Sequence, residues 1–387
     1  MANTLSALNP EVWKPIVQDY LNNMLIARQV CNTKCEALLS SGDQVNFPFI
    51  NDVRVQSYAQ GTDLVADAIA ATQSSLIVDQ SKAAIFVMDP VQEKQALANY
   101  GMQLAYQSAY VLKNNIDQHM LATGVTGAAG TVVGGTLDAS TMYSKMTDVR
   151  AVLSRQNATD GELFAVLDPE RIALVEQSFV ANGFNLADST LKNGFAGNLN
   201  GFRVYTSNNL KYSVTLTMDT QPTNLDTITV YGVTWTWVTD GTAANPGEIN
   251  IGADLADAKA ILVSAINGTA PPAVGDYVDV SVANRRVYQN AQVTEAAFGG
   301  NLSVFTAFGK ISASETFTAA TNVFGTETSN LLFGRMGAIS LAMQMMPDLY
   351  IREEPLQLAK NYITHTLWGD KVFTRDEKRL VKMSINA

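Results

Sequence analysis

Histidine and cysteine, the side chains best suited to acid–base, nucleophilic or metal chemistry near neutral pH, occur only twice each in this chain. His119 falls near the end of a long predicted helix and His365 in a late strand. General acid–base work requires an oriented partner, and no motif pairs either ring with one. Both read as packed or surface histidines. Cys31 and Cys35 sit four apart on a predicted helix, with no neighbouring histidine and no second cysteine pair, which does not make a zinc site. They read as reduced, packed thiols rather than as a disulfide framework. Gly127-Ala128-Ala129-Gly130 and Gly134-Gly135 have the composition of a phosphate loop, but no Lys-Ser or Lys-Thr follows and the dinucleotide fingerprint is missing. A flexible connector is the better reading. Ser207 and Asp160 can be placed in a triad on paper, yet no Gly-x-Ser-x-Gly turn occurs. Asp63, Asp67 and Asp79 lack the spacing of a calcium hand, and Glu353 and Glu354, as strand neighbours, point to opposite faces. Trp235 and Trp237 share one face of a strand and have the means to stack on a sugar, although such a pair in a β domain is more often core or an intersubunit contact. No catalysis, cofactor or metal is expected.

Composition points the same way. Of 387 residues only 16% are charged, against about 25% in a typical soluble domain. Subunit interfaces are depleted in charge at their centres, so much surface pressed against copies of itself gives this composition. A neutral but wet Thr- and Asn-rich β protein gives it too. The net charge of −10 argues against tight nucleic-acid binding, which needs cations to neutralise phosphates. The late basic residues Lys371, Arg375, Lys378, Arg379 and Lys382 are interleaved with Asp376 and Glu377 and read as a solvated charged strand pair. Met1 to Leu8 lacks the basic start and apolar core of a signal peptide, so synthesis in a cytoplasm is expected. No apolar run approaches twenty residues, and no membrane contact is expected.

Periodicity then gives the elements. Pro10 to Leu39 is largely helical in pattern, with Val12, Ile16, Tyr20 and Leu21 at helical spacing. Gln44 to Ile50 reads as a strand in which Val45, Phe47 and Phe49 alternate with Asn46 and Pro48. A second extended run, Ser75 to Met88, returns after a tip holding Gly61, Asp63 and Asp67. Two strands alone are marginal in water, so this ribbon needs something to lie on. Asp89-Pro90-Val91-Gln92 combines a cap, a proline suited to the first turn and a capping box. The helix it starts should reach about Thr123, ~50 Å at 1.5 Å per residue. Leu97, Tyr100, Leu104, Ser108 and Val111 line one stripe of it, and no charge occurs between Gln95 and Leu112. More than one face should therefore be covered.

A Gly/Ala/Thr loop, Ala122 to Thr136, follows. A helix from Ser140 to Arg155, a strand Leu163 to Leu167, a helix begun by Asp168-Pro169-Glu170 and reaching Ser178, and a strand Phe202 to Ser207 suggest a compact mixed domain. From Lys211 to about Thr321 the character changes to Thr, Val and Gly. Alternating runs at Thr227–Val230, Thr234–Trp237 and Tyr277–Val282 surround one helix, Asp254 to Ile266, ended by Asn267-Gly268. This reads as an inserted, mostly β domain. A helical pattern resumes over Leu331 to Met345, and Leu349 to Ala387 is extended, with a tight turn at Gly369-Asp370.

Several strings, taken in order, resemble those of tailed-phage major capsid proteins. Ser41-Gly42-Asp43-Gln44-Val45-Asn46-Phe47-Pro48 is similar to the entry of their extended loop, and Ile77-Val78-Asp79-Gln80-Ser81-Lys82, running on to Asp89, to its return. Asn200-Gly201-Phe202-Arg203-Val204-Tyr205 with Ser207-Asn208-Asn209-Leu210 resembles an axial-domain strand and its exit, and Trp368-Gly369-Asp370-Lys371-Val372 the peripheral return. The resemblance covers nearly everything except Lys211 to about Thr321. It implies an α+β fold with an N-terminal arm (1–40), an extended loop (41–88), a spine helix with peripheral domain (89–137), an axial domain (138–210 and 322–347) interrupted by the β-rich insertion (211–321), and a peripheral return (348–387). The function it implies is that of a structural subunit. Hexamers and pentamers of such a subunit self-assemble into the icosahedral head shell of a virion, enclosing packaged double-stranded DNA without specific recognition. Portal, scaffolding and decoration proteins are the other partners the family implies. The loop would lie on a neighbour's spine helix and peripheral domain, which makes Val45, Phe47, Phe49, Leu76, Val78 and Phe86 the expected intersubunit contacts. The insertion is expected to face outwards. Some members of the family lock their shells with a Lys–Asn isopeptide bond; Lys82 and Asn361 match no motif for it, and Lys82 reads as an ordinary strand lysine. The alternatives are an encapsulin-like nanocompartment shell and, from the insertion and its tryptophans, a β-rich adhesin or glycan-binding protein.

Overall fold

The computed structural model describes residues 26–39, 42–50, 55–61, 63, 66, 71–88, 100–181, 198–239, 241, 243–287, 291–295, 302–308, 310–353 and 360–386. Most of the helical pattern from Pro10 and the whole Asp89–Gln92 capping signal lie outside these residues. Contacts divide the chain into two compact units, residues 1–130, 153–164 and 334–381 forming one and 131–152, 165–333 and 382–387 the other.

In chain order, helix α1 (Ile26–Val30) leads to strands β1 (Gln44–Ile50), β2 (Ala71–Ile77) and β3 (Gln80–Met88) and then to the long α2 (Tyr100–Thr126). Next come β4 (Gly130–Thr136), α3 (Met142–Arg155), β5 (Leu163–Leu167), α4 (Pro169–Ala181), β6 (Asn198–Leu199), β7 (Phe202–Thr206) and β8 (Lys211–Thr217). Then follow β9 (Thr227–Val230), β10 (Val233–Val238), β11 (Glu248–Asn250), α5 (Leu255–Asn267), α6 (Val282–Val287), β12 (Ala291–Glu295), β13 (Leu302–Phe308) and β14 (Ala313–Thr316). The chain closes with β15 (Val323–Phe324), β16 (Thr328–Arg335), β17 (Ile339–Glu353), β18 (Lys360–Val372) and β19 (Leu380–Asn386).

Local signals explain several of these elements. Asp254 caps α5 by accepting the Asp257 N–H at 2.9 Å, and Gly268 ends it in the left-handed region at φ 66°, a conformation glycine adopts without strain. Asp138 accepts hydrogen bonds from the Ser140 and Thr141 N–H groups ahead of α3, at 2.9 and 2.8 Å. These bonds and that from the Ser140 hydroxyl hold its carboxyl down at about 2. Tyr231 and Gly232 turn β9 into β10 with φ 53° and 77°, the positive pair that a two-residue hairpin of the right twist requires.

In the first unit, β1 and β2 form an antiparallel ribbon from Gln44↔Ile77 to Ile50↔Ala71. A three-stranded sheet runs in the order β17-β18-β3. β17 slips register twice, between Met343 and Met345 and between Met345 and Asp348, the second slip spanning Pro347, which has no N–H to give a ladder. In the second unit, one sheet runs β12-β13-β8-β16-β5-β7-β6 and a smaller one β11-β10-β9-β14.

Five sequence expectations are corrected. Leu331 to Met345 is not a helix but parts of β16 and β17, joined through Gly337 at φ 80°. Leu331, Leu332 and Phe333 are all buried, and a strand apolar on both faces gives no alternation to read. Gly369-Asp370 is no turn; both residues lie inside β18, opposite Ala342 and Leu341. The glycine is there for clearance, since a Cβ at 369 would stand 2.1 Å from the Ile77 carbonyl oxygen. Ala122 to Thr136 is no flexible connector but the last turn of α2 and the whole of β4. Its glycines permit close approach, a Cβ at 134 falling 2.7 Å from Ile385 Cγ2 and one at 127 falling 2.7 Å from Val372 Cβ. Tyr277–Val282 makes only a single bridge, Ile249↔Tyr277, before α6 begins. The Arg375–Arg379 stretch is a short turn, Arg379 closing on Asp376 at 2.6 Å, not a strand.

The chain also does not change sheets at Lys211. β8 sits inside the larger sheet, paired with β16 on one side and with β13 on the other. Between β8 and β15, the strands with a sheet of their own are β9, β10, β11 and β14. Trp235 and Trp237, both 0% exposed, are its core, so neither has a face free to stack on a sugar.

Candidate assembly surface

Strand alternation sends successive side chains of β3 to opposite faces. Phe86 goes inward and stacks on Tyr362 of β18, with ring centroids 5.0 Å apart and planes 1° from parallel. Ile85 and Val87 go outward and are 64% and 57% exposed. The ladder puts Ile85 opposite Ile363, and Ile363 opposite Tyr350 of β17. Tyr350 is 46% exposed, so an apolar row crosses the outer face of the sheet. β3 is also an end strand, and no described strand pairs with its outer edge. An exposed edge beside exposed β-branched side chains is a template for adding another chain. Ser81 and His365 share a 2.9 Å hydrogen bond, so this histidine is tied to its neighbouring strand.

The ribbon of β1 and β2 behaves differently at its base. Leu76 and Val78 are buried with Cys35, Leu39, Ala342 and Phe373, and Val45, Phe47 and Phe49 pack half-buried against that cluster. Phe47 meets the Phe373 ring edge-on at 5.0 Å, and Phe49 lies 6.1 Å from the same ring. Backbone and side-chain bonds fasten this base: the Val78 N–H donates to the Asp43 carbonyl at 2.9 Å, and Lys371 Nζ to the Ser75 carbonyl at 2.9 Å. The six residues read from the sequence as intersubunit contacts are thus buried or half-buried by their own chain, Phe86 included. Ile85 and Val87, the exposed pair, were not singled out from the sequence. The run Ile85-Phe86-Val87-Met88 is apolar on both faces, and that doubling is the signal that marks it as more than a one-sided strand.

α2 carries the same asymmetry. Ser108, Leu112, Ile116 and Met120 form its buried stripe, whereas Tyr106, Tyr110 and Val111 are exposed, so Val111 lies off the stripe assigned to it from the sequence. Near the other end of the helix, His119 Nδ1 contacts Asp370 Oδ1 of β18 at 2.8 Å. This histidine therefore has the oriented carboxylate partner that the sequence did not reveal. This close contact with the Asp370 carboxylate raises its pKa, against the pull of burial. Burial, then the carboxylates of Asp370 and Asp117, pushes the Cys31 thiol well up, so it stays protonated and a poor nucleophile. Both cysteines are free thiols.

In the second unit, Tyr212 at the head of β8 donates to Asp168 Oδ2 at 2.5 Å, and Arg171 donates to the same oxygen at 3.3 Å. Lys310 reaches Glu170 at 2.9 Å. Asn322 Nδ2 donates to the Thr220 carbonyl at 2.9 Å while its side-chain oxygen accepts the Asp219 N–H at 3.0 Å. The Asn322 bonds tie the chain leaving β8 to the chain entering β15. Among the described residues no helix is long and apolar enough to cross a membrane, and no cluster of three acidic, histidine or cysteine side chains is placed to hold a metal.

No protein-family model and no curated protein matches the chain. Solved structures do. A structure from Mycobacterium phage Che8 is 14% identical and superposes with a TM-score of 0.57 over 93% of this chain and 91% of that one. The capsid structure of the cyanophage P-SCSP1u is 12% identical, with a TM-score of 0.53 over 94% of this chain and 89% of that one. At such identities the likeness is one of fold: an α+β chain with the architecture of tailed-phage capsid proteins over nearly its whole length.

Proposed function

We propose that this chain is a major capsid protein, a structural subunit whose copies self-assemble through hexamers and pentamers into an icosahedral head shell around packaged double-stranded DNA. The observation that carries the reading is the exposed apolar row on β3 and β17, beside a strand edge that no described strand pairs, in a chain with a phage capsid fold. Each copy leaves a sheet edge and an apolar face that another copy is suited to close, and many modest burials at about 25 cal/mol per Å2 sum over a shell. The acidic balance suits containment of DNA rather than its condensation. The insertion, with its own core, belongs on the outer surface, where neither neighbour nor packed DNA limits its volume.

Electron microscopy of particles from cells expressing the full chain, with nucleic-acid analysis of their contents, tests this reading. Closed icosahedral shells are expected, filled with DNA when the packaging machinery is supplied. A chain that stays monomeric at every concentration overturns the proposal, and shells holding a cargo protein tagged by a short peptide replace it with a nanocompartment.

A further inference from the structure

The C-terminal half of α2 meets β18 at a charged contact between His119 and Asp370. Asp370 is 1% exposed at its side chain and His119 is 41% exposed. Neither Asp370 oxygen has a well-formed hydrogen bond among the described residues, so the 2.8 Å contact with the imidazole is held by charge. Trp368, two residues back on β18, sets its indole edge-on to the imidazole, with ring centroids 4.9 Å apart and planes at 81°. The position is over-determined from behind, because Gly369 is pinned between these two residues beneath the Ile77 carbonyl.

The other charged groups around the pair come from every element that meets it. Asp79, just before β3, faces the imidazole, as does Lys82 on β3. Asp117 of α2 joins Asp370 in facing Cys31, which follows α1. Arg28 of α1 is engaged with Glu36 at 3.2 Å. The setting is thus acidic, with Asp370, Asp79 and Asp117 set against Lys82, and His119 is the group in contact with the buried carboxylate. A buried carboxylate without a cation is costly.

We propose that His119 and Asp370 form a charge-operated latch between α2 and β18, firm while the imidazole carries its proton and slack once it is neutral, so that pH sets how tightly the long helix is held to the sheet. Once neutral, the ring still rests against Trp368, so the latch loosens without parting. Because the partner raises the imidazole pKa, the stabilisation is complete below the unfolded-chain value and is withdrawn as pH climbs through the folded one. The latch stands on the fold and not on assembly; it can hold or fail whether or not the chain builds a shell.

The test uses the purified full-length chain. Amide hydrogen exchange over residues 117–126 is compared at about pH 5.5 and about pH 8.5, corrected for intrinsic chemistry, on either side of the free histidine pKa. The wild type should open about two- to fivefold more readily at the higher pH, the range of a half-exposed ion pair. His119→Asn keeps a donor where Nδ1 stands but cannot titrate, and its corrected exchange should be the same at both pH values. Asp370→Asn should flatten the response as well. A wild-type ratio of one, or an unchanged ratio in His119→Asn, overturns the proposal. NMR titration of the His119 ring in the wild type needs no variant to fold: a midpoint at or below that of a free histidine also overturns it.

Discussion

Replacing both Ile85 and Val87 with serine should stop assembly while leaving the subunit folded. Burying an aliphatic side chain of this size completely is worth about 1.5–3 kcal/mol. Ile85 and Val87 are 64% and 57% exposed in the subunit, so closing a partner over them gains about 1–2 kcal/mol each at the same coefficient. The pair then contributes about 2–4 kcal/mol to each contact, roughly thirtyfold to a thousandfold in its association constant. Folding should lose far less, since exposed substitutions usually fall within about 0.5 kcal/mol. Light scattering against concentration gives the assembly threshold, and thermal melting of dilute, unassembled chain gives the folding term. A threshold equal to that of the wild type refutes the assignment of this face. A melting temperature that falls as far as assembly does refutes it too, because the residues would then be packed within the subunit.

The ribbon base predicts the opposite separation. Leu76→Ala, at a side chain 0% exposed, should cost about 2–5 kcal/mol of folding stability in a urea titration of the dispersed chain; an unaltered titration with impaired assembly would return Leu76 to the intersubunit role read from the sequence. Gly369→Ala should lower the melting temperature sharply, because its Cβ would stand 2.1 Å from the Ile77 carbonyl oxygen and overpacking against backbone costs about 1–3 kcal/mol or more. A neutral result there would mean that Ile77 passes β18 at a greater distance. The Asp138 carboxyl should titrate by NMR with a midpoint at about 2. Its support of the turn into α3 is then present above the unfolded carboxyl range and lost as pH falls through that midpoint; a midpoint in the ordinary range contradicts the capping geometry.

What the sequence revealed and what it hid follow from the range of the forces involved. β1, β5 and α5 were legible almost residue for residue, because alternation, a five-residue apolar run and the Asp254–Gly268 pair of caps are local. The order of strings resembling capsid proteins carried the global fold, which the solved structures support. β16 and β17 were misread because buried surface on both sides erases the period that separates strand from helix. The glycines of β4 and β18 looked like loop residues, and only the Ile385 and Ile77 atoms that crowd them explain their presence. The two faces of β3 could not be told apart for the same reason. Both Phe86 and Ile85 are apolar, and which one turns outward depends on Tyr362, which lies far along the chain.

The pairing of β13 with β8, from Leu302↔Thr217 to Phe308↔Lys211, bears on how such a gene can diversify. A recombination that exchanged the stretch between Thr220 and Asn322 as a cassette would carry β13 away and leave β8 bare along one flank. Any incoming segment must therefore bring a strand able to repair that seam, whatever else it displays. Variation should accordingly spread by drift in turns such as Tyr231-Gly232 more readily than by wholesale exchange.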